Sequence, residues 1–95
     1  MEIRQPSVAG TLESSDVMIT VEPGDKGIEL EIESIVEKQF GREIRRTIMG
    51  TLQSLDVRNA KIRAVDKGAL DCTIRARIKT AVYRAAGKTA YDWRA

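Results

Sequence analysis

The chain has 95 residues, of which 42% are apolar and 32% charged, with a formal net charge of +2. That length suits one domain, 1–95, with a modest core built mainly from aliphatic side chains, because only Phe40, Tyr83, Tyr91 and Trp93 are aromatic. The absence of histidine removes the commonest general base near neutral pH and the commonest metal ligand. Cys72 is the one cysteine, so an internal disulfide is excluded and a thiolate zinc site is disfavoured.

No apolar run follows the N-terminal charges, so no secretory signal is expected, and no stretch reaches the roughly 20 apolar residues of a membrane span. The expectation is a cytoplasmic protein with no membrane partner. Charge is divided unevenly. Residues 1–40 hold three bases against nine acids, a net −6, and residues 41–95 hold thirteen bases against five acids, a net +8. A basic half raises the possibility of nucleic acid. Its bases, however, recur at helical spacing among apolar positions, which reads as a solvated helix face.

In chain order, Ser7–Leu12 reads as a short strand. Glu13-Ser14-Ser15-Asp16 is a polar break made of turn-favouring residues. Val17–Val21 is β-branched and apolar and reads as a second strand, so the two form a hairpin with Ser14 at its tip. Pro23-Gly24-Asp25-Lys26-Gly27 is the strongest turn signal in the chain. Ile28–Glu33 alternates strictly, placing three aliphatic residues on one face and three glutamates on the other. Ser34 and Glu37 have capping-box spacing, and the stripe Val36, Phe40, Ile44, Ile48, Leu52, Leu55 predicts a helix ending near Leu55. Ala60–Val65 alternates as a fourth strand, broken by Asp66-Lys67-Gly68. Leu70, Ile74, Ile78, Val82 and Ala85 mark a second helix with Gly87 as its C-cap and Arg75, Arg77, Lys79 and Arg84 on its other side. Residues 87–95 read as an irregular tail with Tyr91 and Trp93 as apolar anchors. The expected fold is α+β in two layers: a mainly antiparallel sheet in the order β-β-β-α-β-α, with two helices packed on one face.

Catalysis by the chain itself is not expected. Without histidine there is no Ser/His/Asp or Cys/His set, and neither a phosphate loop nor a dinucleotide fingerprint is present. Cys72, near a helix start, reads as a buried small residue rather than a reactive thiolate. The segment Gly10–Asp16 leaves two readings open. One is a plain polar turn. The other is a serine hydroxyl presented to a modifying enzyme, with Glu13 and Asp16 either steering that enzyme or keeping the turn wet. A lone hydroxyl is a poor nucleophile without an adjacent base, so the partner would have to activate it.

The run Gln5-Pro6-Ser7-Val8-Ala9-Gly10-Thr11-Leu12-Glu13-Ser14-Ser15-Asp16-Val17-Met18 resembles the opening of the citrate lyase acyl carrier (gamma) chains. So do Val36–Gly41, Asp66–Cys72 and Arg75-Ala76-Arg77. The resemblance implies that Ser14, rather than its neighbour Ser15, bears 2'-(5''-phosphoribosyl)-3'-dephospho-CoA through a phosphodiester. It further implies that the terminal thiol carries acetyl and citryl thioesters between an alpha subunit, which exchanges acyl groups, and a beta subunit, which cleaves citrate's skeleton to oxaloacetate. A prosthetic-group transferase and an acetylating ligase are the implied accessory partners. Related carriers of citramalate or malonate-processing enzymes are the alternative within this class. A small nucleic-acid-binding α+β module is the alternative outside it.

Overall fold

The computed structural model describes residues 1–35 and 37–87, without the side chains of 37–40. The elements are β1 (Ser7–Gly10), β2 (Val17–Glu22), β3 (Ile28–Ser34), α1 (Glu37–Ser54), β4 (Ala60–Asp66) and α2 (Asp71–Ala85). This is the expected β-β-β-α-β-α order. The contributions read for Val36, Phe40, Tyr91 and Trp93, and the Ser34–Glu37 capping box, lie outside the described residues and side chains.

The sheet order is β1-β2-β4-β3. Two of its three pairings are antiparallel, and β3 pairs parallel with β4. Parallel neighbours need a long crossover, and α1 supplies it by carrying the chain from the end of β3 back to the start of β4. Strand alternation in the sequence reports which face is buried but not which neighbour a strand takes, so the inserted position of β4 was not legible.

One face of the sheet is covered. Across the strands, Ala9, Ile19, Ala64 and Ile32 form one inward row, and Ser7, Val21, Ile62 and Leu30 another. Both helices lay their apolar stripes on this face. Ile44, Ile48, Leu52 and Leu55 of α1 and its end, and Ile74, Ile78, Ala81, Val82 and Ala85 of α2, are buried with them. The other face is wet. Glu29 and Glu31 stand exposed beside Lys61 and Arg63 of β4, as the alternation predicts, and Glu33 stands beside Val65, which is buried.

Two positions at the start of the second helix differ from the sequence reading. Leu70 precedes α2 at its N-cap position and is exposed, because the helix begins one residue later. Cys72, on the first turn, is exposed rather than buried. Gly87 takes φ +73 and donates its N–H to the Arg84 carbonyl, as expected of a glycine just past a helix end. Among the described residues no helix is long and apolar enough to cross a membrane.

Candidate functional site at the Ser14 loop

Residues 11–16 connect β1 to β2, and Ser14 is exposed there. Asp16 donates its N–H to the Glu13 carbonyl at 3.2 Å, so Ser14 and Ser15 are the two central residues of a turn. The positive φ falls on Ser15, at 67°, the position where a type II turn requires one. At the base of the loop Gly10 takes φ +96, and a Cβ there would stand 1.8 Å from the Val17 carbonyl oxygen. Only glycine fits this crossing of the two strands.

The loop is pinned from three directions, all through Asp16 and its neighbours. Arg77 on α2 grips the Asp16 carboxylate with two parallel bonds, Nε to Oδ1 at 3.1 Å and Nη2 to Oδ2 at 2.9 Å. Such forks fix orientation as well as distance. Within the loop, the Thr11 hydroxyl donates to Oδ2 at 2.7 Å and the Val17 N–H to Oδ1 at 2.7 Å. From the side, Ser15 N–H donates to the Lys67 carbonyl at 2.8 Å and Lys67 N–H to the Asp16 carbonyl at 2.9 Å, extending the β2–β4 ladder past its last pair. The Arg77 fork, helped by Thr11 and Val17 and opposed by burial, lowers the Asp16 pKa from 3.8 to about 2. Asp16 is therefore an anionic staple, not a wet flank of the turn.

Asp66, the cross-strand partner of Val17 at the end of the loop, is a buried carboxylate. It is 1% exposed, accepts the Ser34 hydroxyl at 2.8 Å on Oδ2 and the Ala69 N–H at 2.9 Å on Oδ1. It thereby holds the ends of β3 and β4 and the 67–70 segment together. The Ser14 hydroxyl itself makes no hydrogen bond among the described residues, in contrast to the Thr11 and Asp16 side chains that brace the loop. The arrangement can offer a hydroxyl on a braced tip. It has no base with which to activate that hydroxyl.

The sequence located Ser14 and its turn but missed Arg77, Lys67 and Asp66. Arg77 lies 61 residues from Asp16, and no local pattern announces the pair. Its helical spacing reads as part of a solvated face. Arg84 also leaves that face, donating to the Val8 carbonyl at 2.9 Å. Asp66 did carry a signal: it continues the inward period of Ala60, Ile62 and Ala64, which marks a polar residue buried by register.

Known proteins define the class. Residues 4–85 match the family model ACP, described as malonate decarboxylase delta subunit (MdcD). The fold also resembles a chain in a solved Pseudomonas malonate decarboxylase hetero-tetramer in complex with malonate, with a TM-score of 0.56, 18% identity, and coverage of 90% of this chain and 92% of that one. Among curated relatives, the citrate lyase acyl carrier protein of Streptococcus mutans is 59% identical, covering 99% of this chain and 93% of its own length. That of Latilactobacillus sakei is 54% identical, covering 98% and 92%. The chain belongs to the citrate lyase acyl carrier protein family.

Proposed function

We propose that this chain, as one carrier domain, is the non-catalytic acyl carrier subunit of a citrate lyase, and that Ser14 Oγ is the attachment point of its phosphoribosyl-dephospho-CoA group. The observation that carries the reading is the exposed Ser14 hydroxyl, left without an internal bond at the tip of a turn whose frame is held through Thr11, the Ser15 N–H and Asp16. A tether needs that combination: a reachable oxygen, and a backbone that does not collapse around it. The residues present fit the group, because a phosphodiester at Oγ replaces no contact the fold depends on.

Attachment is a substitution at phosphorus. Ser14 Oγ forms the new O–P bond to an activated phosphoanhydride donor, and the donor's bond to its leaving phosphate breaks with the electron pair. The hydroxyl proton passes to a base on the modifying enzyme, since this chain holds no histidine. Once bound, the group supplies a thiol that carries acyl groups as activated thioesters, and the chemistry belongs to it and to the partner subunits. The chain's own work is to hold the root of the arm, so that a flexible tether raises the local concentration of its end near two active sites. The alpha and beta subunits are the partners in this reading, with a transferase and an acetylating ligase as accessories acting in the cytoplasm.

The test is the intact mass of protein from its native host, followed by peptide mapping. An adduct on Ser14 is expected, and Ser14→Ala should remove both the adduct and lyase activity of the assembled enzyme. A fully active lyase with an unmodified Ser14 would sink the reading. The malonate decarboxylase likeness favours a second substrate class; the 54–61% identities to citrate lyase carriers favour citrate.

A further inference from the structure

Five large apolar side chains are exposed among the described residues, and three of them ring the Ser14 end of the sheet. Leu12, in the loop itself, is 55% exposed; Ile35, just after β3, is 66% exposed; Leu70, before α2, is 71% exposed. The register brings them together. Val17, Asp66 and Ser34 are cross-strand neighbours, so the chain before β2, after β4 and after β3 leaves the sheet at one row. Ile35 Cδ1 lies 3.9 Å from where a Cβ on Gly68 would stand, which sets it against the 67–70 segment. Lys67 in turn is bonded to Ser15 and Asp16 of the Leu12 loop.

Folding does not account for these side chains. Leu70 holds an N-cap position, where Ser, Thr, Asp or Asn would satisfy an orphan N–H, and it makes no cap bond. Singly scattered exposed aliphatics need no explanation, but three on adjoining loops around one hydroxyl are the apolar centre of a contact patch.

We propose that Leu12, Ile35 and Leu70 form an apolar docking rim for the enzyme that modifies Ser14. The inference rests on the reading of Ser14 as an attachment point. Reach selects the occupant. An enzyme forming a bond to Ser14 Oγ must bring its donor phosphorus to roughly 3–3.5 Å, so its surface has to cover the flanks of the loop. An ordinary contact patch of about 800 Å² per partner is a disc of roughly 16 Å radius. Adjacent strands lie about 5 Å apart, so Val17, Asp66 and Ser34 span about 10 Å, and a patch centred on Ser14 reaches the chain that leaves each of them. Enzymes acting at the far thiol of an attached arm carry no such obligation.

The experiment follows modification of the full recombinant chain by the transferase and its activated donor, read by intact mass. Leu12→Ser, Ile35→Ser and Leu70→Ser should each raise KM about fivefold or more, with kcat within about twofold. Met49→Gln is the control. Met49 is 38% exposed beside Ile28 and Val57, at the end of the sheet away from Ser14, and its substitution should leave KM unchanged. Leu70→Asp separates docking from folding, because it adds a helix cap: it should melt no lower than wild type and still raise KM. Modification of the rim variants with wild-type KM would overturn the proposal. So would an effect confined to the lyase subunits acting on already modified protein. Absence of any adduct on wild-type Ser14 would instead overturn the reading beneath it, and the wild-type arm alone shows that result.

Discussion

The loops on either side of β2 are built by different means. The turn after it, residues 23–27, takes its shape from its own residues. Pro23 fixes one dihedral, Gly27 sits at φ +79, and Gly24 lies against the backbone of Ala60, with 3.2 Å left for any Cβ. Among the described residues its ties to the rest of the fold are two, both to the start of β4: Gly27 N–H to the Asn59 side chain at 2.9 Å and Ala60 N–H to the Gly27 carbonyl at 3.1 Å. The loop before β2, residues 11–16, contains neither proline nor glycine. Its shape is imposed by Arg77 and Lys67 from distant parts of the chain. Where only a reversal is needed, proline and glycine set the turn and two bonds to Asn59 and Ala60 complete it. Where a side chain must be offered outward, long-range bonds hold the frame and leave the offered residue unencumbered.

This contrast can be broken by substitution, and the largest effect should come at the base of the Ser14 loop. Gly10→Ala is expected to cost about 3 kcal/mol or more, since it combines a positive φ with a clash against Val17. Gly24→Ala, with no positive φ and a closest contact of 3.2 Å, should cost roughly 1 kcal/mol. Urea denaturation of the two variants measures the difference, and equal losses would show that both turns are locally determined. Next comes Asp66→Ala, at about 2 kcal/mol, because it removes a buried carboxylate that accepts from both the Ser34 hydroxyl and the Ala69 N–H.

Arg77→Ala should cost on the order of 1–2 kcal/mol, a value discounted for the partial exposure of the guanidinium. A double-mutant cycle with Asp16→Asn should show coupling between the two positions; strict additivity would mean that the fork contributes nothing. The same pair sets an acid dependence. The folded Asp16 carboxyl titrates at about 2 against 3.8 for the ordinary group, so its stabilisation is complete above about pH 5 and is lost as pH falls from about 4 to 2. Melting temperatures across that window should fall less steeply in Arg77→Ala than in wild type. The smallest effect is expected at the loop's tip: Ser14→Ala should lie within about 0.5 kcal/mol of wild type. A large loss there would make Ser14 a structural residue and erase the distinction between the two loops.

Much of the fold was legible because alternation and helical spacing report burial directly. Ile19, Val21, Ile62 and Ala64 face inward as their period of two requires, and Ile44, Ile48, Ile74 and Ile78 as helical spacing requires. Strand partnership was not legible, since the same pattern in β3 suits a parallel or an antiparallel neighbour. At the candidate site the exposed turn could be read, because Glu13–Asp16 lacks any residue that seeks a core. The fork that braces it could not. An arginine on a helix looks the same in sequence whether it meets water or a carboxylate 61 positions away. Cys72 and Leu70 were misread for a related reason: hydrophobic character locates a helix start only to within a residue or two.

The N-terminal arm is stitched to the last helix. Arg4 and Gln5 both donate backbone N–H groups to the Ala85 carbonyl, Gln5 Nε2 donates to the Arg84 carbonyl, and the Ser7 hydroxyl donates to the Ala81 carbonyl. β2, meanwhile, finds its inner neighbour only when β4 has been made. A ribosome adding roughly 5–20 residues per second therefore exposes the first half of the sheet for several seconds before its middle strand exists. A nascent chain stalled before residue 81 would hold β1 paired with β2 but without the α2 carbonyls that take its further bonds.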